Sequence, residues 1–112
     1  GVRDMIEEAR RIHAAPMIRK YIVDLVEATR RHPDVYLGAS PRASIMLLRA
    51  ARALAAADER DYVVPDDVKA LVTPVLAHRV IVTADAVMGG RSSQAVLQDL
   101  AAEVAVPLTG NA

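Results

Sequence analysis

The sequence predicts an all-α fold: a small bundle of about four to six helices forming one domain over residues 1–112, with room for one short two-stranded β pairing. Three observations carry this expectation. Apolar residues make up 53% of the chain but aromatics only 3%, with no Phe or Trp, so the core is built from Ala, Val, Leu, Ile and Met, a palette suited to closely packed helices. The apolar positions recur at helical spacing over several long segments, each opened by a residue suited to a helix start. The β-branched run HRVIVTA, by contrast, is short and reads as a lone strand.

The elements follow in order. Asp4 and Glu7 have the spacing of a capping box, and Met5, Ala9 and Ile12 recur behind them, which predicts a short helix to about His13. Pro16 suits the first position of a second helix. Its Met17, Ile18, Tyr21, Ile22, Leu25, Val26 and Thr29 form one face against Arg19, Lys20, Asp24, Glu27 and Arg31, and Pro33 stops it at His32. HPDVYLGA reads as a loop. Ser40 as N-cap and Pro41 as first helical residue open a helix to about Ala57, apolar nearly all the way round, as expected of a central helix wrapped by its neighbours. DERDYVV is a polar turn and a short extended piece; Pro65, Asp66 and Asp67 then open a helix striped by Val68, Leu71, Val72, Val75 and Leu76, which Pro74 kinks or splits. HRVIVTA is short and β-branched, a lone strand expected to pair with Tyr62, Val63 and Val64. After a DAVMGGRSS loop, Ser92 or Ser93 caps a last helix through Glu103, with Val96, Leu97 and Leu100 inward and Pro107 beyond its end.

Composition also excludes function classes. Formal net charge is zero, against a broad electrostatic attraction to nucleic acid or anionic membrane, so any phosphate recognition has to be local. No apolar run is long enough to span a bilayer. The absence of cysteine removes disulfides and thiolate metal sites and fits a reducing, cytoplasmic setting. His13, His32 and His78 fall on separate segments without ligand spacing, so no metal is expected. No serine is flanked as a nucleophile elbow, and GGRSS lacks the spacing and the lysine of a phosphate-binding loop. The chain by itself is expected to be non-catalytic. Its N-terminus enters directly into a helical pattern, as expected of a segment of a longer protein.

Arg42, in GASPRAS, is the residue that needs an explanation. It falls in the first turn of a helix, beside unpaired N–H groups and the positive end of the macrodipole, where an exposed cation costs roughly 0.3–1 kcal/mol. The same geometry becomes favourable when a phosphate sits in front of it. The plainer alternative is a solvated arginine with its head bent away. Arg49 lies two turns along the same face and Arg52 obliquely beside it; both read more simply as the wet side of a helix. Asp58, Glu59 and Asp61, interrupted by Arg60, read as a solvated turn, and Asp66 and Asp67 as helix-start residues.

VEATRRHPDVYLGASPRASIMLLRAARALA, RDYVVPDDVKALV and PVLAHRVIV, in that order and spacing, resemble the C-terminal lid domain of MoxR-family AAA+ ATPases, and the resemblance covers nearly the whole chain. GASPRA before an Ala- and Leu-rich helix is its most specific part. The resemblance implies a helical lid following an α/β nucleotide-binding core that is absent from these residues. It makes Arg42 the sensor-2 residue, reaching the γ-phosphate of ATP bound with Mg2+ by that core, with no cofactor held by the fragment alone. It further implies a hexameric ring, contacts with the chain's own core and neighbouring subunits, and chaperone-like remodelling with partners bearing von Willebrand factor A domains. Two positions depart from the family pattern: Glu59 stands where a small residue is expected before Arg60, and Val64 where Thr or Ser usually caps the PDDV helix. Two rivals stay open at this point. One is a free-standing helical interaction or DNA-binding module using Arg42, Arg49 and Arg52, which predicts steeply salt-dependent binding to duplex DNA. The other is the lid of a magnesium-chelatase-like AAA+ protein.

Overall fold

Pro16 opens α1 (Pro16–Arg31), the helix on which the rest of the fold is assembled. The computed structural model describes residues 12–107. The helix expected from Asp4 therefore lies outside the described residues up to Arg11; Ile12 forms a bend, and His13 makes a parallel bridge to Tyr62 rather than a helix end. Five helices and one small sheet follow: α1, β1 (Val35–Leu37), α2 (Arg42–Ala57), α3 (Pro65–Leu76), β2 (Ile81–Val82), α4 (Ala84–Met88) and α5 (Ser93–Glu103).

The apolar stripe of α1 is buried along its whole length through Ile18, Tyr21, Ile22, Leu25, Val26 and Thr29, each at most 2% exposed. α2, α3, α5 and β1 all pack against this helix. Arg30 and Arg31 in its last turn face the negative end of the dipole, and His32, extended before Pro33, ends it as expected. The central helix is thus α1, not α2. In α2 only Ala43, Leu47, Ala51 and Ala55 are buried, one stripe at four-residue spacing, while Ile45 and Leu54 stay exposed on other faces. An apolar perimeter misleads here because Ile45 and Leu54 lie on faces that no described element covers fully. The small stripe lets α3 come close: Val68, Val72 and Leu76 of α3 join the same cluster. Pro74 neither splits nor ends α3: its missing N–H costs the one bond to the Ala70 carbonyl, and the helix runs on to Leu76.

The expected strand at HRVIVTA forms, but with a different partner. β2 pairs antiparallel with β1, Val35 opposite Val82 and Leu37 opposite Ile81 with an irregularity between, and the Thr83 N–H extends the ladder to the Asp34 carbonyl at 2.8 Å. VYL is therefore a strand rather than loop, and Tyr62–Val63 joins the chain at His13 instead, the Val63 N–H donating to the His13 carbonyl at 2.9 Å. β-branched composition marks a strand without naming its partner. DAVM is also not loop: Thr83 caps a single turn, α4, its hydroxyl accepting from the Ala86 N–H at 3.1 Å. Ser92 caps α5 in the same way, accepting from Ala95 at 3.1 Å, and α5 runs to Glu103 with Val96, Leu97 and Leu100 buried as expected.

Candidate functional site

The segment that carries Arg42 is built onto the C-terminal turn of α1. Gly38 lies against that turn so closely that a Cβ would meet Arg30 Cγ at 2.7 Å and the Arg30 Cα and N at 2.8 Å. Glycine is required here by contact rather than by torsion. Ala39, fully buried, donates its N–H to Thr29 Oγ1 at 3.0 Å and accepts at its carbonyl from Arg30 Nε at 3.0 Å. Pro41 adopts helical torsions (φ −57°, ψ −27°), and the Ala43 N–H closes the first turn on the Ser40 carbonyl at 2.9 Å. Ser40 thus flanks the helix as expected, but its contribution is the carbonyl, and no side chain caps the α2 N-terminus.

Arg42 emerges from that uncapped turn into solvent, with no acidic residue in the turn and no ion pair or side-chain hydrogen bond among the described residues. An exposed arginine in an uncapped first helical turn, with no acidic residue in that turn, fits an oxyanion donated from elsewhere. Arg49 is also exposed, whereas Arg52 is half-buried with its Nε lacking a partner among the described residues, so the three do not form one continuous open track.

The strongest electrostatic feature is one that the sequence reading assigned to a solvated turn. Arg60 lies between α2 and α3 and holds Asp67 bidentately, Nη1 to Oδ2 at 2.8 Å and Nη2 to Oδ1 at 2.7 Å. It also donates to Asp58 at 3.1 Å and to the Tyr62 carbonyl at 3.1 Å, and stands 5.9 Å from the centroid of the Tyr62 ring. Asp67, 4% exposed, accepts in addition from the Val64 N–H at 2.9 Å, the half of a capping box that Val64 permits without a hydroxyl. Burial is the largest single influence on the Asp67 carboxyl and pushes its pKa up. The Arg60 hydrogen bonds, the Val64 N–H and the Arg60 charge together outweigh it and hold the group below its ordinary value. Reciprocally, the Asp67 hydrogen bond is the chief reason that Arg60 is raised. An arginine flanked by acids, followed seven residues later by the third residue of a PDD helix start, was the available signal. Spacing alone does not say which acid it reaches.

Arg91 of the GGRSS segment is likewise committed, to Asp34 at 3.3 Å and to Asp99, and so ties the α4–α5 connection to the turn before β1. A groove of about 390 Å3 between α1 and α5 is lined by Asp24, Glu27, Arg31, His32, Glu103 and neighbouring apolar residues, and does not include Arg42. Among the described residues no cluster of three His, Cys, Asp or Glu has metal-binding geometry, and no helix is long and apolar enough to cross a membrane.

A family model of the AAA lid domain matches residues 27–100, the stretch running from the end of α1 through the Arg42 turn, the Arg60 hub and most of α5. The chain belongs to the AAA lid domain family. Its relatives include MoxR proteins, which supports a MoxR-family AAA+ lid. It is 40% identical to chaperone MoxR1 of Mycobacterium tuberculosis over 78% of the present chain and 26% of the relative. It is 39% identical to protein MoxR of Paracoccus denitrificans over 63% of the chain and 25% of the relative. Protein YeaC of Bacillus subtilis, uncharacterised, is 40% identical over 94% of the chain and 33% of the relative. The crystal structure of a "putative ATPase" from Cytophaga hutchinsonii superimposes with a TM-score of 0.84 at 31% identity, over 91% of the chain and 34% of that protein. The lid thus spans about a third or less of the length of the proteins it matches.

Proposed function

We propose that this lid, over residues 1–112, is one part of a longer MoxR-type ATPase and supplies Arg42, as a sensor-2 arginine, to the γ-phosphate of ATP bound with Mg2+ by an α/β core. The observation that supports this reading is the position of Arg42: an exposed cation in an uncapped first helical turn, without an anionic partner among the described residues, on a loop clamped to the lid's central helix. A fold indifferent to this arginine would gain by replacing it with an acid, since negative charge is what that position favours.

The mechanism follows from what a guanidinium does beside a triphosphate. The nucleotide contributes the charge that Arg42 neutralises. Arg42 has a partner while the γ-phosphate is in place and loses it after hydrolysis and phosphate release. Because Arg42 is mounted on a packed helix, making and breaking that contact turns the lid against the core, a hinge motion driven by differential affinity. In a ring, with a hexamer as our expectation, the motion passes to the neighbouring subunit. Chaperone-like remodelling in the cytoplasm, with partners carrying von Willebrand factor A domains, completes the proposal. The lid itself contributes no group that breaks a bond.

The test is Arg42→Ala in the full-length protein. Steady-state ATP turnover should fall by roughly tenfold or more, while the isolated lid keeps its Tm within about 1–2 °C or becomes slightly more stable. Turnover near wild type would remove the sensor role. A stability loss comparable to a core truncation would make Arg42 structural.

A further inference from the structure

Thr29 is an anomaly on the buried face of α1: a hydroxyl, 0% exposed, in a stripe otherwise made of Ile, Leu, Val and Tyr. A valine of the same shape would serve that packing. The hydroxyl donates to the Val26 carbonyl at 2.6 Å, which leaves its lone pairs directed outward, and its partner beyond its own helix is the Ala39 N–H at 3.0 Å. Arg30 Nε takes the carbonyl of the same residue at 3.0 Å. Both backbone groups of Ala39 are therefore held by side chains of α1, three residues before Arg42. Gly38 is pressed on the Arg30 backbone, and Pro41 fixes one more torsion between the clamp and the arginine.

We propose that Thr29 and Arg30 are positioning residues for Arg42: by gripping Ala39 they fix where the α2 N-terminus, and with it the guanidinium, leaves the lid. The inference rests on the sensor reading of Arg42 and adds the residues through which α1 aims it. A stiff mount matters because an arginine that acts on developing charge is effective only when held close to its productive geometry, and a displacement of about 1 Å can cost on the order of a hundredfold. Without the clamp, the GAS segment would be a loop free to swing on Gly38.

The test uses the full-length protein and steady-state ATP hydrolysis, with Thr29→Val, Thr29→Ser and Arg30→Met, each alone and combined with Arg42→Ala. Thr29→Val and Arg30→Met should each lower kcat by roughly 5- to 50-fold with the KM for ATP changed less than about threefold. Thr29→Ser, which keeps the hydroxyl, should stay within about twofold of wild type. In the Arg42→Ala background the same substitutions should lower the residual rate no further, because there is no arginine left to aim. Equal fold losses in both backgrounds would overturn the proposal in favour of a purely structural role. So would wild-type kcat in Thr29→Val and Arg30→Met, an outcome that leaves the sensor role standing if Arg42→Ala alone is impaired. Wild-type turnover in Arg42→Ala alone would overturn the sensor reading first and this one with it. Should Thr29→Val fail to fold, Arg30→Met carries the comparison, since its side chain keeps a long apolar stem while losing the Nε donor and, with it, one of the two charges at the α1 C-terminus.

Discussion

Arg42 and Arg60 are the same residue type with opposite circumstances. Arg60 has both terminal nitrogens of its guanidinium engaged, by Asp67, Asp58 and the Tyr62 carbonyl, and holds the α2–α3 connection together. Arg42 is left open at a helix end whose electrostatics oppose it. The first arrangement serves stability, and the second fits the external anion that we propose for it. The Asp67 carboxyl, held below its ordinary value of 3.8, binds its proton more weakly in the folded lid than in the unfolded chain. Its contribution is therefore full above that value and is lost as pH falls through the lower folded value. Asp67→Asn should lower the Tm of the isolated lid by about 5 °C near pH 7, and the gap to wild type should close as the pH is taken below 3.8. A gap that stays constant with pH would show that the lost interaction is not ionic.

At the scale of elements, the C-terminus of α2 explains one of the departures from the family pattern. The Glu59 N–H donates to Ala56 at 3.0 Å and the Arg60 N–H to Ala55 at 2.9 Å, the paired bonds of a Schellman motif. Glu59 occupies its left-handed position with φ 59°, the one non-glycine residue with positive φ among the described residues. A residue without a Cβ takes that conformation with less strain, which is why a small residue is expected there. Glu59→Gly should raise lid stability by about 0.5–1 kcal/mol in denaturant melts with unchanged m-value; a decrease would mean that the Glu59 side chain contributes something that the torsion does not reveal. The other departure, Val64, is compensated in part by Asp67, which satisfies the Val64 N–H from the third residue of α3. The Glu59 position was legible as unusual from the sequence, but its torsional meaning was not, because its positive φ goes with how the Glu59 and Arg60 N–H groups close on the end of α2.

For the molecule as a whole, the pattern of exposed apolar residues is the counterpart of the buried stripe. Val23 and Ile45, 44% and 53% exposed, join Ile22, Leu48, Arg19 and Ser44 around a shallow groove of about 140 Å3 between α1 and α2, beginning one helical turn from Arg42. Groups of this kind left open to water promote association. The isolated lid should show concentration-dependent self-association in sedimentation velocity, and Ile45→Lys combined with Val23→Lys should leave it monomeric with an unchanged Tm, because neither residue is in the core. A lid monomeric at all concentrations would show that the groove is too small to drive association. The helix-wrapped reading of α2 failed for the same reason that this groove exists: part of its apolar perimeter has no neighbour within the described residues.

The sequence by itself determined the all-α class, four helix starts and stops at Pro16, Pro33, Pro65 and Ser92, the apolar faces of α1 and α5, and the singularity of Arg42, because caps, prolines and periodicity are local properties written within a few residues of where they act. Tertiary structure alone decided that α1 is central, that β2 chooses β1, that Arg60 reaches Asp67, and that Thr29 and Arg30 grip Ala39. Each of these is a choice among partners that local chemistry treats as equivalent, and only the packing of the helices brings one of them within hydrogen-bonding distance.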